Sequence, residues 1–289
     1  MSVKKEINLL RQNFLFYLAG ALLLLGLKCY YRQADCDSLL WILKPTAGWV
    51  QFLSGIPFIY LPGTGYVNHD LRLLIAPSCS GVRFMTVLFA TLFFSFVHII
   101  AVPGSSSASG AAPDDEDPRG IHRPVRAGHG RFYTWLPGSL PAGIRGICWI
   151  AVSGSLAWLF TVFVNGLRII AAIYLPIYLE EAGLTGGILT HDRLHTLIGV
   201  VVYFIALLTI YRLADCFVRR GSKTAVSPAF WRKCAPPVFW YFVLTLGLPL
   251  LHSFGRKEFT EFAVLVTGCC GLILLPYATI LFLRRRKQA

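Results

Sequence analysis

The chain has 289 residues, of which 55% are hydrophobic and only 14% charged, whereas an ordinary soluble domain carries roughly 25% charged residues. The net charge of +13 does not indicate nucleic-acid binding, because the basic residues flank apolar runs and accompany no recognisable nucleic-acid-binding motif. Composition therefore excludes an ordinary soluble domain and predicts an all-α polytopic membrane protein.

Six stretches approach the roughly 20 apolar residues that a helix needs to cross a bilayer, namely 13–31, 82–102, 146–167, 194–214, 236–252 and 259–283. The first lacks a small-x-small cleavage site and is expected to remain as an anchor. Six crossings place both termini on one side. The four basic clusters, before the first stretch, between the second and third, between the fourth and fifth, and after the last, then all become cytoplasmic by the positive-inside rule.

Four other segments interrupt this pattern. Residues 39–61 contain prolines and glycines and are predicted to form an interfacial helix rather than a seventh crossing. Residues 57–76 change to an extended pattern, which predicts a small β-hairpin element outside the lipid, where strand edges can be hydrated. Residues 169–179 are too short to span and should lie at the outer surface, and residues 103–145 should form a flexible cytoplasmic loop.

This topology brings three chemically capable residues to one depth at the outer face. Cys79 begins the second helix, Arg168 ends the third, and His195 begins the fourth. A helix N-terminus favours a thiolate, and Arg83 lies nearby in sequence. His195 is suited to general acid-base work, while Arg168 is suited to stabilising an oxyanion. Together the three predict a thiol-dependent acyl-transfer site.

Each residue also has a purely structural interpretation. A cysteine can be a small core residue, an arginine can extend from the interface towards the headgroups, and a histidine can cap a helix. Their coincidence at one depth favours function, since ionisable groups that face a membrane bundle are usually functional. The eight cysteines show no metal-ligand spacing, so neither a metal nor a cofactor is expected.

Three sequence blocks resemble the signature motifs of the exosortase/archaeosortase family, most closely the exosortase K type. They are Ala76-Pro-Ser-Cys-Ser-Gly-Val-Arg83, Asn165-Gly-Leu-Arg-Ile169 and His195-Thr-Leu-Ile-Gly-Val-Val-Val-Tyr-Phe204. The resemblance covers residues from about 10 to 214. Residues 1–214 are therefore predicted to form an exosortase-like membrane core, and residues 215–289 a C-terminal pair of transmembrane helices.

The resemblance implies a prokaryotic cysteine protease and transpeptidase in the cytoplasmic (inner) membrane, with its active site on the outer face. Its substrates would be membrane-anchored proteins with a C-terminal sorting signal, and a lipid or glycan would be a possible acceptor. Cys79 would be the nucleophile, His195 the acid and base, and Arg168 the residue that steadies the intermediate. Arg83, His191 and Asn165 are candidates for support, and His191 remains an alternative base because it lies one helical turn from His195.

A non-enzymatic membrane protein is the alternative from another class. In a transporter, or in a scaffold for envelope polysaccharide assembly, Arg168 and His195 would bind an anionic group. A transporter is expected to carry ionisable residues near the midplane and to show an internal repeat. The chain shows no repeat between its halves, and its ionisable residues are predicted at the outer interface. The sequence therefore favours the enzyme.

Overall fold

The computed structural model describes residues 13–100, 141–183, 191–218, 230–248, 250 and 257–286. Within these ranges the helices are α1 (Phe14–Gln33), α2 (Leu40–Ser54), α3 (Val82–Ile100), α4 (Ala142–Glu181), α5 (His191–Val218), α6 (Phe230–Phe242) and α7 (Lys257–Arg286). A π-helical stretch, Val243–Gly247, continues α6. The predicted all-α architecture is confirmed in outline.

Five of the described helices, α1, α3, α4, α5 and α7, are long and apolar enough to cross a membrane. The fifth predicted crossing is different, because its apolar helix within the described residues is Cys234–Gly247, and residues 249, 251 and 252 lie outside that description. This segment carries Pro236 and Pro237 within the helix. Its 14 residues would extend only about 21 Å at 1.5 Å per residue, less than the thickness of a hydrocarbon core. The count of six crossings is therefore not confirmed.

Helix α3 is the central element of the bundle. Within its apolar window 78% of the residues are buried, against 6% for α1 and 11% for α7. Helices α1, α4, α5 and α6 surround it. Phe93 and Phe96 on α3 are fully buried, as is Phe204 on α5, and Phe96 stacks on Tyr211. Large aromatic and aliphatic side chains thus fill the interior from end to end.

Helix α4 corrects two predictions. It has 40 residues and spans about 60 Å at 1.5 Å per residue, roughly twice the thickness of a hydrocarbon core. Residues 169–179 continue this helix and are not a separate surface element, because Pro176 is accommodated within it. Arg145, predicted in the cytoplasmic loop, lies in the first turn of α4 and is 9% exposed. Residues 103–140 of that loop lie outside the described residues.

The segment between α1 and α3 contains a helix and a small sheet, as predicted. Helix α2 packs lengthwise along α4, with Trp41 beside Trp158 and Trp49 against Gly166 and Phe163. It therefore runs parallel to α4, and its position at an interface stays a prediction. The sheet has three antiparallel strands in the order β1 (Ile59–Leu61), β2 (Gly65–Asn68) and β3 (Leu73–Ile75).

The two C-terminal helices pack against the rest of the bundle. Trp240 on α6 stacks on Phe94 of α3, and Tyr241 meets Phe204 of α5 edge to face. Helix α7 packs on α5, and Glu261 near its start pairs with Arg193 near the start of α5. The two helices therefore begin at the same end of the bundle, which we call the Cys79 end.

Candidate active site at the Cys79 end

Cys79 lies in a short 3-10 turn, Pro77–Cys79, that precedes α3 and is called the Cys79 turn below. The Cys79 amide donates to the Ala76 carbonyl at 2.8 Å, and the turn then passes through Gly81 at φ +76°. A Cβ atom on Gly81 would lie 3.0 Å from both Asn165 Cγ and Thr161 Cγ2. Only glycine combines this left-handed backbone with so close an approach to α4.

Side chains from two other helices hold the carbonyl groups of this turn. The Tyr31 hydroxyl on α1 donates to the Pro77 carbonyl at 3.3 Å. On α4, Asn165 Nδ2 donates to the Cys79 carbonyl at 2.6 Å. The Tyr203 hydroxyl on α5 donates to Asn165 Oδ1 at 2.6 Å, which fixes the orientation of the amide because each amide atom has a partner of the right polarity. The backbone at Cys79 is therefore tied to α1 and α4, and through Asn165 to α5.

Arg168 lies one helical turn beyond Asn165 and contacts His195. Its Nη2 atom is 3.1 Å from Nε2 and 3.3 Å from Nδ1 of the imidazole. An atom in the ring plane at such similar distances from both nitrogens would overlap with a ring carbon. The guanidinium nitrogen therefore lies over the face of the imidazole, and its position does not block the in-plane directions of the two ring nitrogens.

Arg168 is a buried cation at 7% exposure. Within the described part of the chain no carboxylate lies within 4.0 Å of it, and its Nε atom is buried without a hydrogen-bond partner. Its Cζ atom lies 6.0 Å from the centre of the Tyr203 ring, a distance compatible with a cation–π contact. A buried unpaired cation costs free energy unless a negative charge reaches it, so Arg168 is suited to binding an anion or an oxyanion.

These contacts form one contiguous group, called the Cys79 cluster below: Cys79, Asn165, Tyr203, Arg168 and His195. Asn165 connects the Cys79 backbone to Tyr203, and Arg168 connects Tyr203 to His195. The structure thus brings the start of α3, the start of α5 and the interior of α4 together. Arg168, predicted at the end of the third helix, lies within α4, because this helix continues to Glu181. Cys79 and His195 are both partly exposed, so a ligand can approach either residue.

The supporting candidates have different positions. Asn165 is fully buried within the cluster, whereas Arg83 is exposed on α3. His191 is the first residue of α5, and its side chain lies outside the described part. Tyr31 and Tyr203 are functional candidates that the sequence motifs did not predict. The spacing of His195, Gly199 and Tyr203 was an available signal, since residues four apart lie on one helix face.

A second polar group joins the loop between α1 and α2 to the small sheet. The Tyr60 hydroxyl donates to Asp37 Oδ1, which raises the pKa of Tyr60 to about 12. Hydrogen bonds from Ser38 lower the pKa of Asp35. The Cys36 thiol donates to the Thr64 carbonyl at 3.0 Å, and burial raises the pKa of Cys36. Cys36 is thus a poorer nucleophile than an ordinary cysteine, because the thiolate is the reactive form.

The chemistry of the Cys79 cluster is that of a thiol, a potential base and a buried cation. All eight cysteines are free, so Cys79 is a thiol in this structure. Among the residues described, no three His, Cys, Asp or Glu side chains are grouped in a way that would hold a metal ion. Comparison with models of protein families, with curated proteins and with solved structures finds no match for this chain. The exosortase/archaeosortase resemblance therefore stays a prediction based on three motifs.

Proposed function

We propose that the chain is a membrane-embedded cysteine protease and transpeptidase with Cys79 as its nucleophile. The observation that carries the proposal is the Cys79 cluster, in which a fixed nucleophile turn, a histidine and an unpaired buried arginine are contiguous. A structural cysteine has no need for a backbone tied to other helices by buried polar side chains. A preorganised site does need such support, because acyl transfer requires the reacting atoms in a fixed geometry.

The first half of the reaction cleaves an amide. His195 takes the Cys79 proton, and the thiolate sulfur forms a bond to the carbonyl carbon of the substrate. The negative charge that develops on the carbonyl oxygen is stabilised by Arg168. The carbon–nitrogen bond then breaks, and His195 returns the proton to the departing amine, which leaves a thioester on Cys79.

The second half releases the acyl group. An acceptor amine, hydroxyl or water attacks the thioester carbon, and His195 takes the proton of the acceptor. The carbon–sulfur bond breaks, and the Cys79 thiol is regenerated with the proton held by His195. Following the family resemblance, the substrate is a membrane-anchored protein with a C-terminal motif, transmembrane helix and basic tail. The site would lie at the outer face of a bacterial cytoplasmic membrane, with both termini in the cytoplasm.

One observation also favours a second candidate function. The buried Arg168 cation, which has no neighbouring carboxylate among the described residues, would suit an anionic ligand in a transporter or in a scaffold for polysaccharide assembly. That function needs the cation but not the thiol. The two candidates therefore differ in whether Cys79 is required.

The test uses a reporter protein that carries a C-terminal sorting signal from the same genome. Cells produce the wild-type protein, Cys79→Ala or Cys148→Ala at equal membrane abundance, and the size of the C-terminal fragment is measured. Cys148 is the matched control because it is another half-buried free cysteine. We expect cleavage with the wild type and Cys148→Ala, and none with Cys79→Ala. Cleavage that depends on the protein but persists in Cys79→Ala would contradict the proposal and favour the scaffold.

A further inference from the structure

Strand β3 leads directly into the Cys79 turn. It is an edge strand, since the sheet order is β1-β2-β3 and β3 pairs with no other strand in the described part of the chain. Ala76 continues its extended backbone at φ −90° and ψ 173°, and the turn begins at the next residue. An extended stretch of main chain thus ends beside the nucleophile.

The geometry at Gly65 shows which groups of β3 face outward. A Cβ atom on Gly65 would lie 2.5 Å from the Ile75 carbonyl oxygen, so this carbonyl points towards β2. In antiparallel pairing, alternate residues exchange both hydrogen bonds with the partner strand. The pairs Tyr66–Ile75 and Asn68–Leu73 are therefore the hydrogen-bonded ones. It follows that the N–H and C=O groups of Leu74 point away from β2, along the outer edge of the sheet.

The side chains on the outward face of the sheet are apolar up to this edge. Ile59, Val67 and Leu74 occupy one cross-strand row, and Ile59 and Leu74 are 61% and 49% exposed. The opposite face is covered, since Ile75 is 2% exposed. A sheet that faces water on one side normally carries polar residues there. A fourth strand beside β3 would extend the row and place an apolar side chain against Leu74.

We propose that the outer edge of β3 is the substrate-binding edge, where an extended polypeptide segment pairs with the N–H and C=O groups of Leu74. Strand addition of this kind supplies affinity through main-chain hydrogen bonds and specificity through alternate side chains. The backbone of β3 continues directly into the Cys79 turn. A substrate segment paired with β3 therefore has its carbonyl groups aligned with the nucleophile. The inference rests on the proposed function, because it names how the substrate of that same site is bound.

The enzyme-side test compares Leu74→Pro with Leu74→Ala, using the purified full chain and the sorting-signal reporter in proteoliposomes. Proline removes the outward N–H without removing a bond to β2, whereas alanine keeps the N–H and shortens the side chain. We expect Leu74→Pro to raise the reporter concentration for half-maximal cleavage about tenfold, and Leu74→Ala to raise it less. The rate of Cys79 alkylation by N-ethylmaleimide should stay within about twofold of wild type in both variants, since a main-chain binding role leaves the thiol unchanged.

The substrate-side test places single prolines at successive reporter positions beside the cut and leaves the enzyme unaltered, so it decides the matter even if Leu74→Pro does not fold. Strand addition predicts a period of two, with about tenfold loss where the N–H faces β3 and much smaller loss between. If the wild type cleaves the reporters without this alternation, the inference about β3 is wrong but the proposed function is unaffected. The apolar row of Ile59, Val67 and Leu74 would then be a lipid contact. Failure of the wild type to cleave any reporter through Cys79 would overturn the proposed function and this inference together.

Discussion

Two arginines at the Cys79 end of the bundle lie in opposite environments. Arg193 is 48% exposed and pairs with Glu261 at 3.1 Å, whereas Arg168 is 7% exposed and has no carboxylate within 4.0 Å among the described residues. Water and a counter-charge solvate the first, so its pair contributes little to stability. The second costs free energy in the isolated protein. Arg193 is thus a solvated surface group, whereas the burial of Arg168 is what the proposed role in binding a negatively charged group requires.

The largest expected effect comes from removing the buried cation. Arg168→Met should reduce reporter cleavage by about 100- to 1000-fold, the usual cost of losing a group that stabilises an oxyanion. Its thermal stability in detergent should not fall, because an uncompensated buried charge is removed. Arg193→Met is the matched control and should be near wild type in cleavage. Wild-type cleavage by Arg168→Met would contradict the role of the buried cation.

The Cys79 turn provides the next contrast, between two glycines of the bundle. Gly81→Ala should destabilise the protein by at least about 1–2 kcal/mol and lower cleavage, because the left-handed backbone and the 3.0 Å contacts leave no room for a Cβ atom. Gly154→Ala on α4 meets nothing within 4 Å and should be neutral or slightly stabilising. Thermal unfolding of the two variants side by side measures the difference, and equal values would show that the turn tolerates a side chain.

Tyrosine hydroxyls allow a finer comparison between buried and exposed polar contacts. Tyr203→Phe should keep the ring stacked on Phe84 but lose the hydrogen bond to Asn165, at a cost of about 1 kcal/mol and roughly tenfold in cleavage. Tyr30→Phe removes an exposed hydroxyl that donates to the Ser38 carbonyl and should change cleavage little. Cleavage rates and unfolding temperatures of both variants provide the test. Similar small effects in the two would show that Asn165 holds its position without Tyr203.

The exposed Arg193–Glu261 pair tests the other half of the comparison between the two arginines. A double-mutant cycle on Arg193→Ala and Glu261→Ala should give a coupling free energy below about 1 kcal/mol, because both side chains are about half exposed. High salt should weaken the coupling further. A coupling of several kcal/mol, measured by thermal unfolding, would instead show that this pair holds α7 in place.

The smallest effect concerns pH. The pKa of Tyr60 is raised to about 12 by its hydrogen bond to Asp37, so the folded protein holds the phenolic proton more tightly than the unfolded chain. The stabilisation is therefore complete below pH of about 10 and is lost as pH rises through about 12. An ultraviolet titration of tyrosine ionisation should show that Tyr60→Phe has one tyrosine fewer than the wild type among those that ionise with a midpoint of about 12. Loss of a midpoint near 10 instead would contradict this contact.

Much of the helix pattern follows from apolar runs alone. The ends of α1, α3 and α5 lie within a few residues of the predicted positions, because each run is long and bounded by polar or turn-forming residues. The extension of α4 to Glu181 contradicts the prediction from Pro176, because a helix that packs along its neighbours can tolerate a proline. The meeting of Cys79, Arg168 and His195 at one end followed from counting crossings. Their precise links through Asn165 and Tyr203 depend on helix rotation, which spacing alone does not give.

The most direct measurement of the central claim is mass spectrometry of the peptide that contains Cys79, after the reporter is incubated with wild-type protein and with His195→Ala. In the wild type we expect a thioester that joins Cys79 to the reporter fragment ending at the cut site. In His195→Ala the amount of this thioester should change, because His195 acts in both steps: it rises if deacylation becomes the slow step and falls if attack by the thiol becomes the slow step. Transfer of the reporter with no Cys79 adduct in either protein, and with cleavage intact in Cys79→Ala, would contradict the account.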